Sequence, residues 1–317
     1  MNLLSESVSP LLTKEKLELL KSHKILTTLD FVQYNNDKMA NLIVQNVSEI
    51  IKIKDKILAS NNSKPMRGDK MYDMMLKRTV VINSGIEIVD RMFHGGIPSG
   101  RLVEVYGDSG SGKTQLALHL TANTALKLQY EVCYITTGDA NPKRILDIMQ
   151  NLDKDGDYVK SLERITFCHI HDVYQLLEML WTPEMKRYQL VIIDSLATLF
   201  LPIRGDAFND SISLLNKVAS DLKRLAVVHQ CVVLVVNHVS RWSREGTSEA
   251  QGATLPTPFL GRYWCSVPSL RLYIKHLSDN QFELTVVKNV YSAEPGPKCS
   301  FSYFFGNGDT HQGKSNI

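Results

Sequence analysis

Residues Gly107, Asp108, Ser109, Gly110, Ser111, Gly112, Lys113 and Thr114 fit the pattern G-x-x-x-x-G-K-[ST], whose chemistry is that of a phosphate cradle. Gly107 and Gly112 let the backbone turn tightly and come close to an anion. The loop amides, and the free N–H groups of a helix starting here, can point at phosphate oxygens with the helix dipole behind them. Lys113 would neutralise the β- and γ-phosphates, and the Thr114 hydroxyl would hold Mg²⁺. A glycine-rich turn before a helix is the plain alternative. Against it stand an apolar strand over Leu102–Tyr106 and an amphipathic helix after the loop, the setting in which the motif has meaning.

A second piece of the same chemistry lies in Gln189-Leu-Val-Ile-Ile-Asp194-Ser195. A buried strand that delivers a carboxylate at its carboxyl end can hold the Mg²⁺ hydration shell beside Thr114, so Thr114 and Asp194 form the expected metal pair, with Asp194 acting through water. The expected ligands are ATP and Mg²⁺. A small-molecule kinase with a phosphate loop is an alternative, but no acceptor-site signature is visible.

These side chains need an alternating α/β scaffold, and the chain from residue 79 provides one. Strands are expected at 79–82, 102–106, 131–136, 165–170, 189–194 and 231–236. Helices are expected at 86–92, from the phosphate loop to about residue 128, and at 142–150, 172–181 and 211–229. Ile212, Leu215, Val218, Leu222 and Leu225 fall on one face of the last helix. Cys231–Val236 is apolar throughout, as in a strand buried on both sides of a parallel sheet. The alternation predicts a doubly wound α/β domain with ligand at the carboxyl ends of the strands. Beyond Val239 it breaks. Residues 240–258 are polar and aperiodic, and Arg241, Trp242 and Arg244 could pair phosphates and stack bases of single-stranded nucleic acid. Strands at 269–276, 282–288 and 300–305 are expected to add antiparallel to the sheet.

The first 59 residues carry no strand signal. Leu11, Leu17, Leu20 and Ile25, then Val47, Ile50, Ile51, Ile57 and Leu58, give helical stripes, so a small all-α N-terminal domain is expected at 1–59. Residues 60–70 are polar, with Pro65 and Gly68. They set a linker over 60–78 and a core domain over 79–317.

Composition narrows the class. The chain has 317 residues, 44% hydrophobic and 22% charged, enough for a large core plus a small domain. A net charge of +3 is too weak to argue nucleic-acid binding by itself. The first residues lack a basic segment and carry Glu6, unlike a signal peptide, and the apolar runs are too short and interrupted for a membrane span, so no membrane partner is expected. Five cysteines scattered singly, without a C-x-x-C, argue for reduced thiols in an intracellular protein and against zinc.

Together the motifs resemble a family. Val81-Ile-Asn-Ser-Gly85-Ile-Glu-Ile-Val-Asp90, His94-Gly-Gly-Ile-Pro-Ser-Gly100, Val103-Glu104-Val105 and the phosphate loop ending Gly-Lys-Thr-Gln115 resemble the opening of eukaryotic RecA-type recombinases. Asn141-Pro-Lys-Arg144, Asp194-Ser195 and Val236-Asn237-His238 follow in the same order. Ser22-His23-Lys24, the Asn-His at 237–238 and Gly261-Arg262-Tyr-Trp264 through Arg271 look like the Rad51-family paralogues of the D type.

The resemblance implies a RecA-like ATP-binding core and a nuclear protein that joins other recombinase paralogues on single-stranded DNA in double-strand-break repair. It implies that Gln115, Asn237 and His238 belong to the nucleotide site, with His238 where recombinases place a Gln that senses the γ-phosphate. It also implies two DNA-facing loops, 197–210 with Arg204 and 240–258 with Arg241, Trp242 and Arg244. One departure stands out. Gly138 falls where active recombinases carry the Glu that activates the attacking water, and glycine has no group to serve as base. Asp139 is the neighbouring candidate, but a one-residue shift on an extended chain turns a side chain to the opposite face. Weak DNA-stimulated ATPase at most is therefore expected. The alternative is a filament-forming ATPase that exchanges strands; it requires that Glu and an aromatic-x-x-Ala motif, to which Tyr72-Asp-Met-Met75 is a poor approach.

Overall fold

Parallel strands delivering their carboxyl ends to one edge dominate the structure, a computed structural model that describes residues 4–6, 8–61, 65–139, 141–203, 208–239, 256, 258–278, 280–291 and 296–303. The chain divides into two units, Met1–Met74 and Met75–Ile317.

In the first unit, α1 (Lys14–Ser22), α2 (Thr28–Gln33), α3 (Asn36–Ile43) and α4 (Val47–Asn61) form a helical bundle. Its starts are written in the sequence. Thr27 and Asp30 close a reciprocal capping box at α2, and the Asn35 side chain accepts from the Asp37 and Lys38 amides at α3. Leu12, Leu20, Ile25, Phe31, Met39, Ile43, Ile50, Ile53 and Ile57 make the core. Leu11, Ile51 and Leu58, expected in the stripes, are exposed instead. At 3.6 residues per turn the buried line of α4 runs through 50, 53 and 57, and positions 51 and 58 fall off it. The expected linker contains a helix, α5 (Gly68–Arg78), with no buried residue. Asp69 in its first turn and Lys77 and Arg78 in its last complement the helix dipole.

The second unit begins with a two-stranded ribbon, β1 (Val81–Ile82) against β2 (Ile97–Pro98), with α6 (Glu87–Met92) between them. The main sheet contains β3 (Arg101–Gly107), β4 (Val132–Thr136), β5 (Ile165–His169), β6 (Leu190–Asp194), β7 (Val232–His238), β8 (Leu270–Ser278), β9 (Gln281–Asn289) and β10 (Lys298–Ser302), in the order β10-β9-β8-β3-β7-β6-β4-β5. The helices are α7 (Lys113–Leu126), α8 (Pro142–Leu152), α9 (Tyr158–Leu162), α10 (Val173–Met179), α11 (Leu196–Phe200), α12 (Phe208–His229) and α13 (Gly261–Ser266). Two apolar clusters draw on alternate residues of the same strands, Tyr134 and Ile192 on one and Cys133 and Ile193 on the other, as a doubly wound fold requires.

Three expectations need correcting. The strand at 270–278 joins β3 in parallel, and within the main sheet the β8–β9 and β9–β10 pairings are antiparallel. The chain reaches β8 by a long crossover through α13, and such a connection delivers a parallel strand. The helix after the phosphate loop is not amphipathic: every residue from Leu116 to Leu126 is buried, as for a helix covered on all sides. Residues 197–210 are not one loop, because α11 occupies 196–200, capped by the Ser195 hydroxyl, and α12 starts at Phe208.

Candidate nucleotide-binding site

The β3 strand ends at Gly107, whose hypothetical Cβ would lie 2.1 Å from the Ile274 carbonyl oxygen; only glycine passes there. The loop turns through Gly110 and Gly112 at φ of 74° and 92°, the left-handed region that favours glycine, and Gly112 opens α7. Lys113 is buried, and its ammonium folds back on the loop, donating to the Gly107 carbonyl (3.0 Å) and to those of Asp108 and the Ser111 hydroxyl. Burial pulls its pKa below the ordinary lysine value, while Asp194 and Asp108 act against that. A cation held by carbonyls, with acidic residues near, is poised to exchange them for phosphate oxygens. Ser109, Gly110 and Thr114 are exposed at the loop's open side.

The strand ladder brings Asp194 to this edge. Thr136 pairs with Asp194 across β4–β6, and Gly107 pairs with His238 across β3–β7. The Tyr134 hydroxyl donates to Asp194 Oδ2 at 2.8 Å, and burial, then Asp194, hold that phenol well above its usual range. Tyr134 therefore remains a donor that fixes the carboxylate. Ser195 Oγ lies 3.1 Å from His238 Nε2 and 2.6 Å from Thr198 Oγ1. Burial, then the Lys113 charge, lower the His238 pKa, while Asp194 opposes them, which favours a neutral imidazole. These residues fit a Mg²⁺-nucleotide: an amide-rich turn and an ammonium for phosphate, and Thr114 and Asp194 oxygens for a hard cation.

The fully buried Asn237 side chain donates to Glu104 Oε1 at 2.7 Å, and its Oδ1 accepts from the His238 amide at 2.8 Å, so it stands behind His238. Gln115 meets a different partner, accepting from Arg144 Nε at 3.1 Å. At the end of β4, the Thr136 hydroxyl and the Gly138 backbone close on each other at 3.1 Å, and Gly138 and Asp139 are exposed. A Cβ on Gly138 would meet nothing within 4 Å. The place holds room for a side chain and has none.

The Rad51 family model matches residues 75–300. The chain belongs to the Rad51 family. It is 29% identical to DNA repair protein RAD51 homolog 4 of Bos taurus over 286 residues, covering 86% of this chain and 85% of that one. It is 28% identical to the Mus musculus protein of the same name over 287 residues, 86% and 84% of the two chains. Against DNA repair protein XRCC3 of Bos taurus it is 30% identical over 248 residues, 70% and 72%. Within the Rad51 family the chain is a paralogue that goes with the D type.

The run at 261–271 that carried this likeness has a structural job. Glu104, with no exposed surface in the middle of β3, accepts from Trp264 Nε1 at 2.8 Å and from Arg271 Nε at 2.6 Å, besides Asn237. Arg271 also lies over the Tyr106 ring, 4.9 Å from its centroid. The network ties β3, β7, β8 and α13 below the nucleotide edge. Sequence reasoning missed it, although a lone Glu in an apolar strand is itself a demand for buried partners. Val239 bridges to Pro258, and the Phe259 amide donates to the His238 carbonyl at 2.7 Å, so the segment between starts and ends beside the nucleotide edge. Arg204, Arg241, Trp242 and Arg244 lie outside the described residues.

Proposed function

We propose that this Rad51-family paralogue binds ATP with Mg²⁺ and acts in homologous recombination and DNA double-strand-break repair in the nucleus. It does so as a subunit of a paralogue complex that assists the strand-exchange recombinase on single-stranded DNA. ATP hydrolysis is slow, and the nucleotide serves mainly to set conformation and partner contacts. The observation that carries this reading is an intact phosphate loop facing Asp194 across an edge where Gly138 offers no base. The repair and recombination role is supported by the names of the curated relatives, which are DNA repair proteins. No described helix is long and apolar enough to cross a membrane.

Thr114 and Asp194 would hold Mg²⁺, which would neutralise charge building on the phosphates. Lys113 would leave the loop carbonyls for the β/γ-phosphate oxygens. His238, neutral and steadied by Ser195, would donate to the γ-phosphate or not according to its presence, and the 240–258 segment that follows would carry that state to DNA or a partner. The test is co-purification of the full chain and its Lys113→Ala variant with candidate paralogues, with ATP binding and turnover measured with and without single-stranded DNA. The reading expects complexes that depend on an intact loop. A protein that stays alone and turns ATP over briskly would refute it.

A further inference from the structure

We infer that Tyr303 is a positioning residue for the phosphate loop, acting on it from the far edge of the sheet; this rests on the reading that the loop holds nucleotide phosphate. Tyr303 follows the last residue of β10, yet its hydroxyl donates to the Gly112 carbonyl at 2.8 Å. That carbonyl already accepts the first helical bond of α7, from the Leu116 amide at 3.0 Å. Two donors fix the plane of the Gly112–Lys113 peptide. Because the peptide is planar and trans, holding the carbonyl in one direction aims the Lys113 N–H in the other. This N–H is among the first of α7, which have no acceptor inside the helix.

The clamp is itself braced. The Tyr303 ring is buried and packs on Phe282 at 4.7 Å, on Phe301 at 5.1 Å and, stacked, on His119 at 5.2 Å between centroids. The fit against the loop is close: a Cβ on Gly112 would stand 2.8 Å from Tyr303 Cε2 and 2.9 Å from Phe282 Cδ1. Gly112 therefore serves two purposes, a left-handed turn and a flat seat for these rings. The β9–β10 hairpin thus sets the direction of one phosphate-binding amide without touching the nucleotide.

The test measures binding of fluorescent ATP and ADP with Mg²⁺ to full-length wild type, Tyr303→Phe and Tyr158→Phe, with melting temperatures. Tyr303→Phe removes one oxygen and leaves the ring packing. It should weaken ATP and ADP by the same factor, about five-fold, the scale of one hydrogen bond, because the amide faces a phosphate both ligands carry. Tyr158→Phe is the matched control. Its hydroxyl also donates to backbone, the carbonyls of Asp153 (2.6 Å) and Lys154, away from the loop, and its loss should leave affinity unchanged. Unaltered affinity in Tyr303→Phe, or a loss that Tyr158→Phe shares in proportion to lost stability, overturns the inference. A wild type that binds neither nucleotide overturns the nucleotide reading beneath it.

Discussion

The two halves of the nucleotide edge are built to different standards. On the β3 side, both ends of the loop are held: Gly107 against Ile274, Lys113 on the loop carbonyls, Gly112 under Tyr303. On the β4 side, the chain leaves the sheet through Gly138 and Asp139, both exposed, with the Gly138 amide donating to the Thr136 hydroxyl. Both belong to one sheet and lie at the same carboxyl edge. The difference teaches that holding a triphosphate and splitting it are separable demands on a fold. The first needs many buried contacts that act together; the second needs one side chain at one place.

The comparison can be broken most directly by giving the poor side what it lacks. Gly138→Glu adds a carboxylate where a Cβ meets no neighbour, so the fold should accept it. If the missing base limits turnover, ATPase should rise about a hundred-fold, the usual scale for a general base, read in a steady-state phosphate-release assay. The rich side is broken by Lys113→Ala, which should weaken MgATP binding by roughly thirty- to a hundred-fold, as expected for losing charge-assisted hydrogen bonds. Its melting temperature should hold, since Lys113 satisfies carbonyls that water can reach once the side chain is gone.

A third variant probes the bracing behind the loop. Both ring nitrogens of buried His119 lack a hydrogen-bond partner among the described residues. Burial, then the Arg144 charge, push its pKa down to about 4 from the ordinary 6.5. Between these values the unfolded chain binds the extra proton, so the stability present above pH 6.5 is lost as pH falls toward 4. From pH 7 to pH 5 this one group should cost about 2 kcal/mol. His119→Phe, which keeps the stack on Tyr303, should remove that share of the acid sensitivity in denaturant titrations at the two pH values. The smallest effect is expected from Asp139→Ala: no change in turnover, because Asp139 lies exposed past the end of β4 and takes no part in the hydrogen bonds that join Tyr134 to Asp194 and Ser195 to His238.

Much of this was legible in the sequence because local rules governed it. The loop spacing, the apolar strand ending in Asp194 and the βα alternation each rest on contiguous residues, and the structure places them together at one edge. The proposal that Gly138 leaves the site without a base rests on contiguous residues too, with Tyr134 and Ile135 setting its register. What was hidden involves partners distant in the chain. Glu104 reaches Trp264 and Arg271, Tyr134 reaches Asp194, and Tyr303 returns to Gly112; no periodicity announces such pairs. The antiparallel reading of β8 failed for a related reason, since its neighbour is β3, far back in the sequence, as well as β9. The helix at 68–78 was read through Pro65 and Gly68 alone, although the residues after Gly68 contain neither breaker.

The central claim is that this chain holds ATP far better than it spends it. The direct measurement is a paired one on the full-length protein: equilibrium MgATP binding and steady-state hydrolysis, with and without single-stranded DNA. The account predicts saturable binding with turnover at least about a hundred-fold below the ~10 s⁻¹ of a middling enzyme, unchanged by Asp139→Ala and raised by Gly138→Glu. Brisk hydrolysis by the wild type, abolished by Asp139→Ala, would contradict it.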